Sequence, residues 1–116
     1  MAHRVEPIYQ EVTNEFIAEV VRRIVDVADP DRIILFGSRA RGEASYWSDL
    51  DILVIKDSDV PRWERSGDIR YALRNIMVPM DIIVYTPEEV YDWSQVEEAF
   101  VTTAVREGKV LYEKPT

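Results

Sequence analysis

The sequence predicts an α/β (α+β) fold in which one sheet is flanked by helices. Short apolar runs suited to buried strands alternate with stretches of helical periodicity, in the order α-β-β-α-β-α-α-β. A length of 116 residues suits one small domain. We therefore expect a single domain over 1–116, with a core over about 30–113 and an N-terminal helix over about 8–28.

The first predicted helix runs from Ile8 to Ala28. The Asp29-Pro30 pair ends it, because the residue before a proline disfavours helical backbone angles. Apolar residues recur in this segment at three- and four-residue steps, as on one face of a helix, at Val12, Phe16, Val20, Ile24 and Val27.

Three apolar runs are predicted as strands, and a fourth as an edge strand. Ile33–Phe36 is short and rich in branched residues, which is typical of a buried strand. The second strand is predicted over Asp49–Ile55 and the third over Met80–Tyr85, after a proline. Val110–Tyr112 is the predicted edge strand.

A second helix is predicted over Pro61–Ile76, because proline is well tolerated in the first turn of a helix. Its possible core contacts are Trp63, Ile69, Leu73 and Ile76.

Two further helix starts are predicted near the C-terminus. Thr86 is the predicted cap of one helix, with a proline at its first position and Glu89 reaching back to the cap. The segment Ser94–Glu97 has the same capping-box pattern and predicts the start of another helix. Gly108 is predicted to end that helix.

The composition excludes several kinds of site. With no cysteine and one histidine, the chain has no Cys/His zinc site, no thiol nucleophile and no disulfide framework. A metal site must then be built from carboxylates, which favours a hard ion such as Mg²⁺. The formal charge of -8 argues against extended nucleic-acid binding, and we expect no membrane contact and a cytoplasmic protein.

Two carboxylates, Asp49 and Asp51, open the second predicted strand. Residues two apart in a strand point to the same face, so both acids can share one divalent ion or hold two. The alternative is an ordinary polar entrance to a strand. The pattern alone favours neither interpretation.

Asp81 lies second in an otherwise apolar strand, where an unpaired buried carboxylate would cost several kcal/mol. Beside Asp49 and Asp51 it would be a third acid on one face, and such a cluster requires cations to offset its charge. The alternative is an ion pair with Arg70 or Arg74.

The segment from Gly37 to Gly42 directly follows a predicted strand. A glycine there lets the backbone approach a phosphate, the Ser38 hydroxyl can donate to a phosphate oxygen, and Arg39 and Arg41 can balance its charge. The segment lacks the Gly-Lys-Ser/Thr ending of a P-loop. Read alone, such a turn is most often a solvated loop.

Together, these motifs resemble the nucleotidyltransferase superfamily that includes DNA polymerase beta. Gly37-Ser38 is followed after ten residues by Asp49-x-Asp51 and then by a single Asp81 in a later strand. The string GSRARGEASYWSDLDILV is similar to the minimal nucleotidyltransferase (MNT) group, as is the GKVLYE string near the C-terminus. Ser48 also fits the group's motif. The resemblance implies that 1–116 is one minimal nucleotidyltransferase domain, with a mixed sheet.

The resemblance also implies a mechanism. Two Mg²⁺ ions would be held by Asp49, Asp51 and Asp81, and Asp81 would help to deprotonate an acceptor hydroxyl. Gly37 and Ser38 would hold the β- and γ-phosphates of a nucleoside triphosphate, with ATP as the co-substrate. Arg39 and Arg41 would steady the leaving pyrophosphate, or would contact a partner protein instead.

The resemblance finally implies a partner, because MNT proteins are often paired with HEPN-domain toxins. In one reading the chain is a Mg²⁺-dependent adenylyltransferase that modifies a tyrosine of the HEPN toxin and so acts as its antitoxin. In the alternative reading it is a non-catalytic antitoxin that neutralises the toxin by stoichiometric binding. Since no broad basic face for RNA is visible, we expect the acceptor to be small or to be presented by another protein.

Overall fold

The computed structural model describes residues 12–43 and 49–116, which form a four-stranded sheet with helices on both faces. The strands lie in the order β3-β2-β1-β4. The helices and strands are α1 Asn14–Ala28, β1 Arg32–Phe36, β2 Leu50–Ile55, α2 Gly67–Ala72, β3 Met80–Tyr85, α3 Pro87–Trp93, α4 Phe100–Glu107 and β4 Lys109–Glu113, with a short 3-10 turn at Arg62–Glu64. The predicted α+β class is confirmed.

The sheet is mixed, as predicted. β1 pairs antiparallel with both β2 and β4, whereas β2 pairs parallel with β3. A parallel pair needs a crossover connection, which is supplied here by the 3-10 turn and α2. Strands β3 and β4 are the two edges of the sheet.

Alternation along the strands divides the core between the two faces of the sheet. On one face, Ile33, Ile52 and Val84 pack in a cluster with residues of α1 and α2. On the other face, Ile34 and Leu53 pack in a smaller cluster with Val101 and Ala104 of α4. The hydrophobic core on the face covered by α4 is therefore the smaller of the two.

Helix α1 is shorter than predicted. It begins at Asn14, because the Thr13 hydroxyl accepts a hydrogen bond from the Phe16 amide and caps the helix there. Residues 8–11 of the predicted helix lie outside the described residues. Val27, expected on the buried stripe, is 42% exposed, whereas the other predicted stripe residues are buried or packed against the core.

The helix predicted over Pro61–Ile76 is wrong in its extent. The chain forms the 3-10 turn and then the six-residue α2, which ends at Ala72. Ile69 and Leu73 are buried as predicted, but the Trp63 side chain is 82% exposed and contributes nothing to the core.

The two C-terminal helix predictions have opposite outcomes. The Thr86 capping box is confirmed, since Thr86 and Glu89 cap each other's backbone N–H groups. The predicted capping box at Ser94–Glu97 is wrong: α4 begins after Ala99, which makes no side-chain cap. The Ser94 hydroxyl instead donates to the Tyr91 carbonyl at the end of α3. Gly108 ends α4 as predicted.

Among the described helices, none is both long and apolar enough to cross a bilayer.

Candidate active site

Three side chains form a row across the end of the sheet. Asp51 on β2 pairs with Phe36 on β1 and with Asp81 on β3. Cross-strand partners point to the same face, and neighbouring strands lie about 4.8 Å apart. The two carboxylates are therefore side by side on one face, and the Phe36 ring flanks them there. Because Phe36 packs with the α4 cluster, the acids lie on the face that α4 covers.

The third predicted acid, Asp49, is exposed and precedes β2, which begins at Leu50 rather than at Asp49 as predicted. Leu50 and Ile52 are fully buried, as expected for residues that face the core. Within residues 12–43 and 49–116, no three acidic or histidine side chains stand close enough to form a metal site. The structure thus brings Asp51 and Asp81 together and leaves Asp49 at their margin.

Asp81 differs from its predicted setting in one respect. It was expected to be buried, but its side chain is exposed near the start of β3, at the end of the sheet. Neither arginine proposed as its partner bonds to it in the described part of the chain. Arg70 donates to Ser66 Oγ and to the Ile82 carbonyl, and Arg74 donates to the Tyr71 carbonyl. The ion-pair alternative therefore lacks support.

The turn after β1 is built against the Asp51 carboxylate. Gly37 has a φ of 75°, in the left-handed region that favours glycine. A Cβ added to Gly37 would overlap Asp51 Oδ2. Glycine is therefore favoured at position 37 by its backbone angle, and a side chain there would have to displace the Asp51 carboxylate.

Burial and two neighbouring charges act on Asp51 in the same direction. Partial burial raises the pKa of its carboxyl group, and the negative charges of Asp81 and Asp49 raise that pKa further. The positive charges of Arg39 and Arg41 lower it in part. Asp51 therefore sits where a positive charge would be favourable, and both arginines of the turn act on it.

The turn itself closes by backbone hydrogen bonds. The Arg41 amide donates to the Gly37 carbonyl at 3.3 Å, and the Glu43 amide donates to the Ser38 carbonyl at 2.9 Å. Arg41 also pairs with Glu43 through its side chain at 3.0 Å. Ser38 and Arg39 are half-buried within this turn. Ser48, the remaining motif residue, lies outside the described residues.

Two cavities open on either side of the row of acids. A cavity of about 210 Å³ adjoins Gly37 and Arg41 on the β1 side. A larger groove of about 650 Å³ adjoins Asp81 on the β3 side. Phe100 of α4 lines both of them, and its ring packs edge-on against Phe36 at a centroid distance of 5.2 Å.

Phe100 is the residue at this site that the sequence did not single out. It was predicted only as part of a helix, and its contact with Phe36 joins positions 64 residues apart. A local pattern carries no signal for a contact at that separation. Trp63 was also not predicted at the site. It was expected in the core, but it is exposed and lines the groove beside Asp81.

Comparisons with known proteins bear on the family and on the fold. The sequence model of the family described as "Polymerase beta, Nucleotidyltransferase" matches residues 17–116. The fold is similar to the crystal structure of a candidate nucleotidyltransferase from Sulfolobus solfataricus, with a TM-score of 0.62 and 21% sequence identity. That match covers 86% of this chain and 79% of the other. A search of curated proteins finds no match.

Proposed function

This chain belongs to the polymerase beta nucleotidyltransferase family, and from that premise we propose that it transfers a nucleoside monophosphate from ATP to a hydroxyl group. The acceptor that we propose is a tyrosine hydroxyl of a partner HEPN toxin, so that the chain acts as an antitoxin. The observation that carries the proposal is the placement of Asp51 and Asp81 side by side, next to the Gly37 turn.

The proposed reaction is an in-line substitution at the α-phosphorus of the triphosphate. The acceptor oxygen forms a bond to that phosphorus, the bond from the phosphorus to the oxygen that bridges to the β-phosphate breaks, and pyrophosphate leaves. The acceptor proton passes to Asp81, which is exposed at the groove where a hydroxyl can approach it. Gly37 and Ser38 hold the β- and γ-phosphates, and Arg39 and Arg41 offset the charge of the leaving pyrophosphate.

The carboxylate oxygens of the acids are suitable ligands for a hard divalent cation. Asp51 and Asp81 offer carboxylate oxygens from neighbouring strands, and burial, together with the negative charges of Asp81 and Asp49, raises the pKa of Asp51. We propose that Mg²⁺ is held by these two residues together with Asp49. A bound Mg²⁺ would supply charge neutralisation at the phosphates and polarisation of the α-phosphoryl group.

The groove beside Asp81 supports a side chain, rather than an extended strand, as the acceptor. Arg70 donates to the Ile82 carbonyl and Arg65 to the Val84 carbonyl, so two carbonyls at the free edge of β3 are occupied. A peptide could not pair with that edge without displacing these guanidinium groups. A tyrosine side chain can enter the groove, where Trp63 offers an exposed aromatic surface.

Stoichiometric binding of the toxin without catalysis is the second candidate function. It is favoured by the position of Asp49, which does not join Asp51 and Asp81 in a metal-binding cluster among the described residues. In that case the acids would have no role in transfer, and neutralisation would survive their substitution.

Intact-mass spectrometry separates the two candidates. The chain is incubated with each nucleoside triphosphate and Mg²⁺, with and without the proposed HEPN partner. The Asp49→Asn/Asp51→Asn variant tests the acids, and Asp59→Asn, in an exposed loop, is the matched control. A gain of one or more nucleotide units on the partner that is lost only in the double variant supports transfer. No gain, with a tight complex that survives the double substitution, establishes binding instead.

A further inference from the structure

We propose that the 210 Å³ cavity between β1 and α4 holds the nucleobase of the bound nucleoside triphosphate, with the Phe100 ring as its stacking surface. The inference rests on the proposed function, because it places the base of that reaction's donor nucleotide. It adds a binding site to the acids and the phosphate turn.

The cavity lies at the right place for a base. Gly37 forms part of its wall and also lies against the Asp51 carboxylate. In the proposed reaction the α-phosphate lies at Asp51 and the outer phosphates lie at the turn. The ribose and base must then occupy space within one sugar's length of Asp51, and this cavity begins there.

The size and the walls of the cavity suit a flat ring. Pockets that enclose drug-sized ligands span roughly 300–1,000 Å³, and a single nucleobase is smaller than those ligands. The Phe100 side chain is 46% exposed, and its edge-on contact with Phe36, at an interplanar angle of 84°, supports the orientation of its ring. An aromatic face that is held in place and left accessible is what base stacking requires.

The wall contributed by α4 adds hydrogen-bonding groups. Thr103 and Glu107 both line the cavity, and they lie four residues apart, one turn of the helix. The hydroxyl can donate or accept a hydrogen bond, and the ionised carboxylate accepts. These groups can meet the polar edge of a base or the ribose hydroxyls.

The larger groove is less suited to the base. It adjoins Asp81, on the opposite side of Asp51 from the phosphate turn. An in-line substitution brings the acceptor in opposite the leaving pyrophosphate, so the side away from the turn is needed for the acceptor. Of the two cavities described at this site, the smaller one is therefore assigned to the base, beside the turn with which it shares Gly37 and Arg41.

Binding measurements with two probes test this placement. Isothermal titration calorimetry on the full chain, with Mg²⁺, compares α,β-methylene-ATP, which cannot transfer its nucleotide, with inorganic tripolyphosphate, which has no base. Phe100→Ala is expected to weaken binding of the ATP analogue at least about fivefold and to leave tripolyphosphate binding unchanged. Tyr91→Ala, which removes an aromatic ring that is 76% exposed on α3, is the matched control and should change neither.

A second variant, Thr103→Trp, fills the cavity while leaving Phe100 in place. It should also weaken binding of the ATP analogue and leave tripolyphosphate binding unchanged. The placement is overturned if both variants bind the ATP analogue as the wild type does. It is also overturned if they lose both probes equally, because the cavity would then serve the phosphates. If the wild-type chain binds neither probe, the proposed function itself fails and the placement fails with it.

Discussion

Gly37 lies directly against the carboxylate of Asp51, so closely that a methyl group on Gly37 would overlap Asp51 Oδ2. The turn that would receive phosphates and the acid that would hold a cation are therefore in contact. A side chain added at position 37 must displace the Asp51 carboxylate or the turn. That coupling makes position 37 a sensitive test of the site.

Gly37→Ala should lower both stability and transfer activity. The left-handed backbone angle costs an alanine about 1 kcal/mol, and relief of the overlap must displace Asp51 or the turn. We expect a total loss of about 2–3 kcal/mol in the free energy of unfolding, measured by urea denaturation.

Gly42→Ala is the matched control for this prediction. Gly42 has nearly the same φ, 73°, but a Cβ there would meet nothing within 4 Å. We expect a loss of only about 1 kcal/mol and retained activity. Equal effects of the two substitutions would show that contact with Asp51 does not matter.

Asp51→Asn should increase stability at neutral pH while removing activity. Burial, with the charges of Asp81 and Asp49, raises the pKa of Asp51 in the folded chain, so ionisation of this residue opposes folding. The protonated acid therefore contributes to stability. This contribution is fully present below about pH 3.9 and is lost as the pH rises through the folded-state pKa of Asp51.

The gain from Asp51→Asn should therefore be largest near pH 7 and should shrink towards zero below about pH 3.9. Thermal unfolding in metal-free buffer at a series of pH values measures it, with Asp59→Asn as an exposed-acid control. A variant that is less stable than the wild type at neutral pH would contradict this account of Asp51.

Arg65→Ala should destabilise the fold by about 2–3 kcal/mol. The Arg65 side chain is 9% exposed and donates to both oxygens of Glu89, at 2.6 and 3.2 Å, as well as to the Val60 and Val84 carbonyls. Hydrogen bonds from Arg65 lower the pKa of Glu89. The stabilising contribution of the Arg65–Glu89 pair is therefore present above about pH 4.3. It is lost as the pH falls through the folded-state pKa of Glu89.

Urea denaturation at pH 7 and at low pH measures this difference. Arg22→Ala is the control, because Arg22 also forms ion pairs, with Glu19 and Asp26, but its side chain is 60% exposed. Such exposed pairs contribute about 1 kcal/mol or less. A similar small loss at Arg65 would mean that the burial of this pair adds nothing.

The strands and the position of the acids could be predicted from the sequence because their signals are local. Each apolar run is bounded by glycine, proline or charged residues, and the β3 bounds, Met80–Tyr85, were predicted correctly. The adjacency of Asp51 and Asp81 follows once β2 and β3 pair in parallel. The functional roles of these residues remain predictions.

Long-range contacts explain what the sequence could not reveal. The helix predicted over Pro61–Ile76 is interrupted, and Arg65 lies between its two pieces, with its guanidinium on β3 and on Glu89 of α3. The Ser94 hydroxyl bonds to the preceding helix, so it cannot start the next one. The cavity at Phe100 depends on a contact with Phe36, which no local pattern encodes.

The central claim is nucleotidyl transfer at the acids, and radiolabel transfer tests it most directly. The chain and its HEPN partner are incubated with Mg²⁺ and ATP labelled on either the α- or the γ-phosphorus. The account predicts label on protein from the α-position only, with release of pyrophosphate, and loss of that label in Asp49→Asn and Asp51→Asn variants that remain folded. Label from the γ-position, or α-label that persists in both variants, would contradict it.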